Sequence, residues 1–258
     1  MRLRRVALLI ASLLWLPAPG LAQDHTQQST TPPPIGYPSE FLLGRPKGLL
    51  AVRGGWLFAN TGSDLYDFVS NQLTVDKKSF NASSLAGDFG ISFGSRFDVI
   101  ATLEQANSTT ASEYRDFVDT GGVPITQTTR REEWVISGTL RMALLPRGRR
   151  ISRFAWVPRA FTPYVGAGAG AVKYTFQQYG SFVDFRTLRV FNDDFGANGW
   201  APTVHALGGA DLRVWRRIYL TSEARYTWSS ATLGQDFVDF EPLALGGLRL
   251  SGGLQVVF

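Results

Sequence analysis

From Gly48 onward, apolar and polar residues alternate in eight separate stretches, centred near Val52, Phe89, Ile100, Gly138, Gly168, Ala210, Ala224 and Gly252. A period of two sends successive side chains to opposite faces, so each stretch predicts a β-strand with one apolar and one polar face. The last is the clearest: Leu248, Leu250, Gly252, Leu254, Val256 and Phe258 share one side, and Arg249, Ser251, Gly253, Gln255 and Val257 the other. Helical periodicity is hard to find. Each stretch is long enough to cross a bilayer at a tilt.

The connections alternate in length. Gly94-Ser95 and Trp215-Arg216-Arg217 are tight, whereas residues 60–82, 108–130, 178–199 and 230–244 read as long loops. Segment 146–160 belongs to the short set but is longer than its fellows. Short turns at one end and long loops at the other predict an all-β, eight-stranded antiparallel up-and-down transmembrane β-barrel with both termini on the short-turn side.

The ends of the chain carry an address. Arg2, Arg4 and Arg5 precede the apolar run VALLIASLLWL and then Gly20-Leu21-Ala22, which predicts a signal peptide over residues 1–22. Residues 23–47, with the tract DHTQQSTTPPP and the later Pro38 and Pro46, predict a flexible periplasmic lead-in, and 48–258 the barrel domain. The closing strand with its terminal Phe258 resembles those of Gram-negative outer-membrane β-barrels. The layout over residues 48–258 is similar to the small eight-stranded barrels of the OmpA/OmpX/OmpW kind. The resemblance implies an outer-membrane location with periplasmic termini. It also implies outer-membrane lipids as partners, and a barrel assembly machinery that reads Phe258 during biogenesis. The competing reading of the same alternation is a soluble, lipocalin-like barrel with the faces exchanged.

Charge and composition narrow the function. Setting aside Arg2, Arg4 and Arg5 leaves 23 basic against 21 acidic residues, so the processed chain is close to neutral and carries no nucleic-acid-binding stripe. The absence of cysteine excludes disulfide scaffolds, thiol nucleophiles and cysteine-ligated metals.

In the membrane register, Trp56, Phe58, Phe89, Ile91, Phe93, Trp134, Ile136, Leu140, Tyr164, Tyr174, Phe176, Ile218, Leu220, Tyr226 and Trp228 face lipid. The opposite face gathers Arg53, Arg141, Lys173, Arg213, Arg225 and Arg249 with Asp88, Asp98, Glu104, Glu133, Asp211 and Glu223, six of each sign. Eight strands leave room only for side chains, so these groups are expected to pair with one another as a lumen plug.

Catalysis has little to work with. His25 and His205 are the only histidines, so His205 is the sole general-base candidate, placed inward opposite Thr227 or Ser229. The deacylases among such barrels carry a Ser two residues after the catalytic His, where this chain has Leu207. Asp236, Asp239 and Glu241, or Asn192, Asp193, Asp194 and Asn198, are oxygen donors without a calcium-loop spacing, so no metal or cofactor is expected.

Two further features suggest contacts. Each long loop holds a short element of Asp, Phe and Val (Asp67-Phe68-Val69, Asp116 to Asp119, Phe182 to Phe185, Phe237 to Phe240), with Phe68, Phe117, Phe185 and Phe240 as apolar members that either pack into a shared cap or touch an extracellular protein or lipopolysaccharide. The turn PRGRRISRFAWVPRA offers Arg147, Arg150 and Trp156 to inner-leaflet headgroups. The expectation is a non-enzymatic structural or surface-interaction protein, with a narrow channel or a lipid A-modifying enzyme as alternatives.

Overall fold

The computed structural model describes residues 41–234, 237 and 240–258. The signal peptide, His25, Asp236, Asp239 and the lead-in as far as residue 40 lie outside the described residues. In chain order the elements are β1 (Leu42–Leu43), β2 (Gly48–Ala59), α1 (Asp64–Gln72), a 3₁₀ turn (Lys77–Phe80), β3 (Ala82–Phe93), β4 (Phe97–Val118), β5 (Pro124–Ala143), β6 (Gly148–Arg150), β7 (Ala155–Pro158), β8 (Phe161–Asp184), β9 (Arg189–Arg213), β10 (Ile218–Ala231) and β11 (Leu243–Val257).

Eight of these strands form a closed antiparallel barrel in the order β10-β11-β2-β3-β4-β5-β8-β9. The seam closes where β11 pairs with β2, from Gly247 opposite Ala59 to Val257 opposite Leu49. Closure gives every strand two partners and removes the edges that would invite aggregation. Along the strands burial alternates as the sequence pattern requires: Leu49, Ala51, Arg53 and Leu57 of β2 are buried, while Leu50, Val52, Trp56 and Phe58 are exposed.

The outward positions form a continuous apolar band, including Leu85, Phe89, Val99, Leu103, Ile136, Leu140, Val204 and Leu254. So large an apolar surface, ringed by Trp56, Trp134, Trp200 and Trp228 at one end and by Phe93, Phe97, Phe161 and Phe258 at the other, is the face of a transmembrane barrel.

Two of the four expected loops are strand. β4 and β5 stay in register as far as Glu113 opposite Thr126 and, past an irregularity, meet again at Val118 opposite Pro124, and β8 and β9 stay paired as far as Asp184 opposite Arg189. Here polar and apolar residues mix on both faces, because above the apolar band no lipid demands a hydrophobic side, and alternation fades while pairing continues. A different surprise lies between β2 and β3, where α1 buries Leu65, Tyr66 and Val69. Asp64 and Asp67 in its first turn suit the helix dipole.

At the opposite end, the last part of the predicted flexible lead-in is held in place. Leu42 and Leu43 pair with Trp156 and Ala155, making the three-stranded sheet β1-β7-β6 out of the long turn between β5 and β8. The Lys47 amide donates to the Phe258 carbonyl at 2.8 Å.

Candidate functional site: a charge-paired lumen under an aromatic cap

The barrel interior is divided along its length. Nearer the short turns it is ionic. Arg53 Nε and Nη2 grip Asp88 at 2.6 and 2.9 Å, and its Nη1 lies 2.7 Å from Glu223. Glu223 continues to Arg225 at 2.9 Å, and Arg225 to Glu104 at 3.8 Å. From Glu104 the path runs to Arg249 at 3.0 Å, to Glu133 at 2.7 Å, and on to Arg131. Arg131 donates to the Phe80 carbonyl at 3.3 Å, so the string ends on the connection that carries α1.

A second cluster occupies the mouth at the short-turn end. Arg141 holds Asp98 at 2.9 Å and lies 3.6 Å from Asp211, with its guanidinium 4.5 Å from the centre of the Tyr164 ring. Arg147 also binds Asp98 and comes within 3.7 Å of Asp211. Charges taken out of water need such partners, since one left alone costs several kcal/mol.

Four expectations are corrected here. Lys173 is exposed on the outward face of β8, and Tyr164, Tyr174 and Phe176 point inward, so the whole of β8 has the opposite facing. The tyrosine hydroxyls explain the preference: Tyr164 Oη sits 3.2 Å from both Thr221 Oγ1 and the Ser222 carbonyl, and Tyr174 Oη donates to Thr232 O at 3.0 Å. Arg213 is half-buried at the mouth without an ion pair among the described residues. Arg147 turns into the barrel mouth toward two buried acids instead of out toward lipid. Trp156 is buried beneath the mouth, its ring over Gly148, where a Cβ would lie 2.4 Å away; Arg150 remains exposed beside it on β6.

Arg131 and Arg147 therefore replace Lys173 and Arg213, and the lumen still balances at six arginines and six acids. Arg131 had a readable signal, since it shares a face with Glu133 two residues on. Arg147 had none, because nothing in the turn's sequence tells its arginines apart.

Nearer the long loops the interior is apolar. Leu65, Tyr66, Val69 and Phe80 from the β2–β3 connection pack with Val172, Tyr174, Phe176, Phe237, Leu243 and Leu245. Tyr66 meets Phe80 edge-on at 4.8 Å and Phe176 at 6.3 Å. The four loop phenylalanines meet in two pairs, Phe68 with Phe240 at 5.5 Å and Phe117 with Phe185 at 5.6 Å; Phe240 borders the apolar cluster directly, and the second pair reaches it through Tyr114. Phe68 and Phe185 stay largely exposed.

His205 is buried inside the barrel, opposite Thr227 in the register, with its Nε2 2.8 Å from Thr139 Oγ1. No group of three metal-ligating side chains occurs among the described residues.

No protein-family model matches this chain, and no curated protein matches its sequence. Among solved structures it is similar to Neisserial surface protein A, with 13% identity over 85% of this chain and 98% of that one, at a TM-score of 0.47. It is also similar to OprG of Pseudomonas aeruginosa (11% identity, 84% and 99% covered, TM-score 0.41). A third is Ail, the attachment invasion locus protein of Yersinia pestis (14%, 81% and 99%, 0.38). The chain itself is an eight-stranded antiparallel barrel.

Proposed function

We propose that this protein is a non-enzymatic integral outer-membrane barrel that presents a surface-interaction platform on the β4–β5 and β8–β9 hairpins. The observation that carries the reading is a filled interior beneath strands that outrun the membrane. β8 and β9 have 24 and 25 residues, against the roughly 9–11 a transmembrane strand needs. The upper part of β9 pairs with β8, β8 with β5 and β5 with β4, so one sheet of four strands continues past the apolar band. It presents Val118, Tyr179, Phe185 and Phe191 among acidic side chains, a mixture suited to a protein or lipopolysaccharide partner.

The interior speaks against the alternatives. The cavity among Arg53, Asp88, Tyr164 and Arg225 is about 10 Å³, room for no more than a water molecule. His205 sits inside the barrel, away from any lipid substrate on its outer face.

The test is adhesion of cells displaying the protein to immobilised envelope and host-surface fractions, with Phe117→Ser/Phe185→Ser as the comparison. Loss of adhesion with normal surface display is the expected result. Unchanged adhesion removes the hairpin reading, and steady single-channel conductance in planar bilayers would move the protein to the channel class.

A further inference from the structure

The short-turn end of the barrel is basic throughout its outer surface. Ten arginine and lysine side chains there, from Arg45 to Arg217, are exposed or half-exposed, and among the described residues no exposed aspartate or glutamate accompanies them. The acids at this end, Asp98 and Asp211, are consumed inside the mouth. A field of one sign at one rim attracts anions, and on a barrel in a bilayer that rim meets the headgroups of a single leaflet.

Within this rim lies a groove of about 660 Å³ between β1 and the β9–β10 turn, lined by Phe41, Leu43, Trp215, Arg216, Arg217 and Ile218. Its floor is continuous with the lipid-facing band: Ile218 stands directly opposite Val256, next along the same face to the outward pair Leu220 and Leu254. Leu43 is 81% and Trp215 69% exposed, large for apolar groups that face only water. Both are fixed in position. Leu43 pairs with Ala155, Trp215 N donates to Ile218 O at 3.1 Å, and Arg217 O accepts from Val257 N at 2.9 Å. Neither the Arg216 nor the Arg217 guanidinium has a hydrogen-bond or ion-pair partner among the described residues.

We propose that this groove binds an anionic phospholipid of the adjoining leaflet, its phosphate between Arg216 and Arg217 and an acyl chain along Leu43, Ile218 and Val256. Paired guanidinium groups match phosphate oxygens in charge and geometry, and an indole on the shelf above is at home at the depth of the glycerol backbone. The basic–aromatic contact with lipid that the sequence suggested for Arg147 and Trp156 is thereby carried by Trp215 to Arg217, the neighbouring turn. The proposal rests on the membrane orientation of the outward face and is independent of what the hairpins at the other end bind.

The test folds the full chain into vesicles of phosphatidylcholine with a minority of phosphatidylglycerol, extracts it in mild detergent and measures the lipid retained by mass spectrometry. Heat-modifiable gel migration reports separately whether the barrel formed. The wild type is expected to retain phosphatidylglycerol about tenfold over its share of the bilayer. Arg216→Gln/Arg217→Gln is expected to return retention to the bulk ratio, and Arg149→Gln/Arg150→Gln to leave it enriched. Leu43→Asp, outside the barrel, is expected to lower retention too and keeps the test decisive if the arginine variant does not fold. Equal enrichment in the Arg216→Gln/Arg217→Gln protein overturns the site. So does equal loss in the Arg149→Gln/Arg150→Gln protein, which would mean a diffuse charge effect, and so does displacement by millimolar inorganic phosphate, which would mean a free-anion site.

Discussion

Arg53 on β2 and Glu223 on β10 meet across the intervening β11, with Arg53 Nη1 2.7 Å from Glu223 Oε1. The same guanidinium binds Asp88 of β3 through its other two nitrogens. One side chain thus bridges both sides of the β11–β2 seam, where the last strand of the barrel returns to the first. Backbone pairing closes the cylinder, and the buried arginine fastens the closure from within. A planar fork serves two carboxylates at once, which a lysine at this position would not reproduce.

Replacing Arg53 by methionine leaves Asp88 and Glu223 buried without their shared cation. The expected loss is about 3–5 kcal/mol, read as a fall in the urea midpoint of the folded barrel in micelles. Thr102 still donates to Asp88 at 2.7 Å, and Arg225 still faces Glu223, so the lower half of that range is expected. A midpoint equal to the wild type would mean that the lumen charges are hydrated and only loosely paired.

Tyr66→Ala should act on the cap and spare the barrel. Its ring is fully buried between Phe80 and Phe176, and its hydroxyl donates to the Ala244 carbonyl at 3.2 Å. Removing it opens a cavity worth about 3–5 kcal/mol in the docking of α1. Lys77 and Lys78 lie exposed just beyond that helix, so trypsin should cut there faster while the strands stay protected. Mass-spectrometric mapping of the cuts on membranes checks it. Unchanged cleavage would show that Arg131 and the β4 contacts alone hold the segment.

Two glycines separate close packing from open surface. A Cβ at Gly209 would fall 2.2 Å from the Ser222 carbonyl oxygen and 2.6 Å from the Tyr164 ring. Gly209→Ala must push the tyrosine or the strand aside, at a cost of about 1–3 kcal/mol. A Cβ at Gly138, on the outward face, meets nothing within 4 Å, so Gly138→Ala should change stability by less than about 0.5 kcal/mol. Parallel urea titrations of the two variants check the contrast.

The strands were most legible where their faces differ most in polarity. In β2, Arg53 sits between Val52 and the bulky pair Trp56 and Phe58, and facing follows at once. The run Gly166 to Ala171 in β8 has no such contrast, because both of its faces are lined by small residues. Facing there had to be read from Lys173, a charge assigned inward by rule, and the rule fails at the membrane boundary, where a lysine reaches the headgroups at little cost. Beyond the boundary, alternation stops reporting strands because water is on both sides, so the upper parts of β4, β5, β8 and β9 read as loops. The helix α1 was hidden for another reason: nine residues give too short a period to register, and its burial depends on Phe176, Phe237 and Leu245, far along the chain.

Lys173 and Arg131 provide the sharpest test of the lumen as it stands. Lys173 lies between Trp134 and Trp200 in the cross-strand register, exposed at the edge of the apolar band. Arg131, on the neighbouring β5, is 3% exposed and bound to Glu133 and the Phe80 carbonyl. Lys173→Leu should shift stability by no more than about 1 kcal/mol, the range for an outward substitution near the interface. Arg131→Leu leaves Glu133 with Arg249 as its one cation beside the Gly246 amide and releases the segment ending at Phe80, so about 3–5 kcal/mol should be lost. The pair is read in one urea titration series with heat-modifiable migration as the fold check. The reverse ordering, a large loss at position 173 and a small one at 131, would restore the lysine to the lumen and turn β8 over.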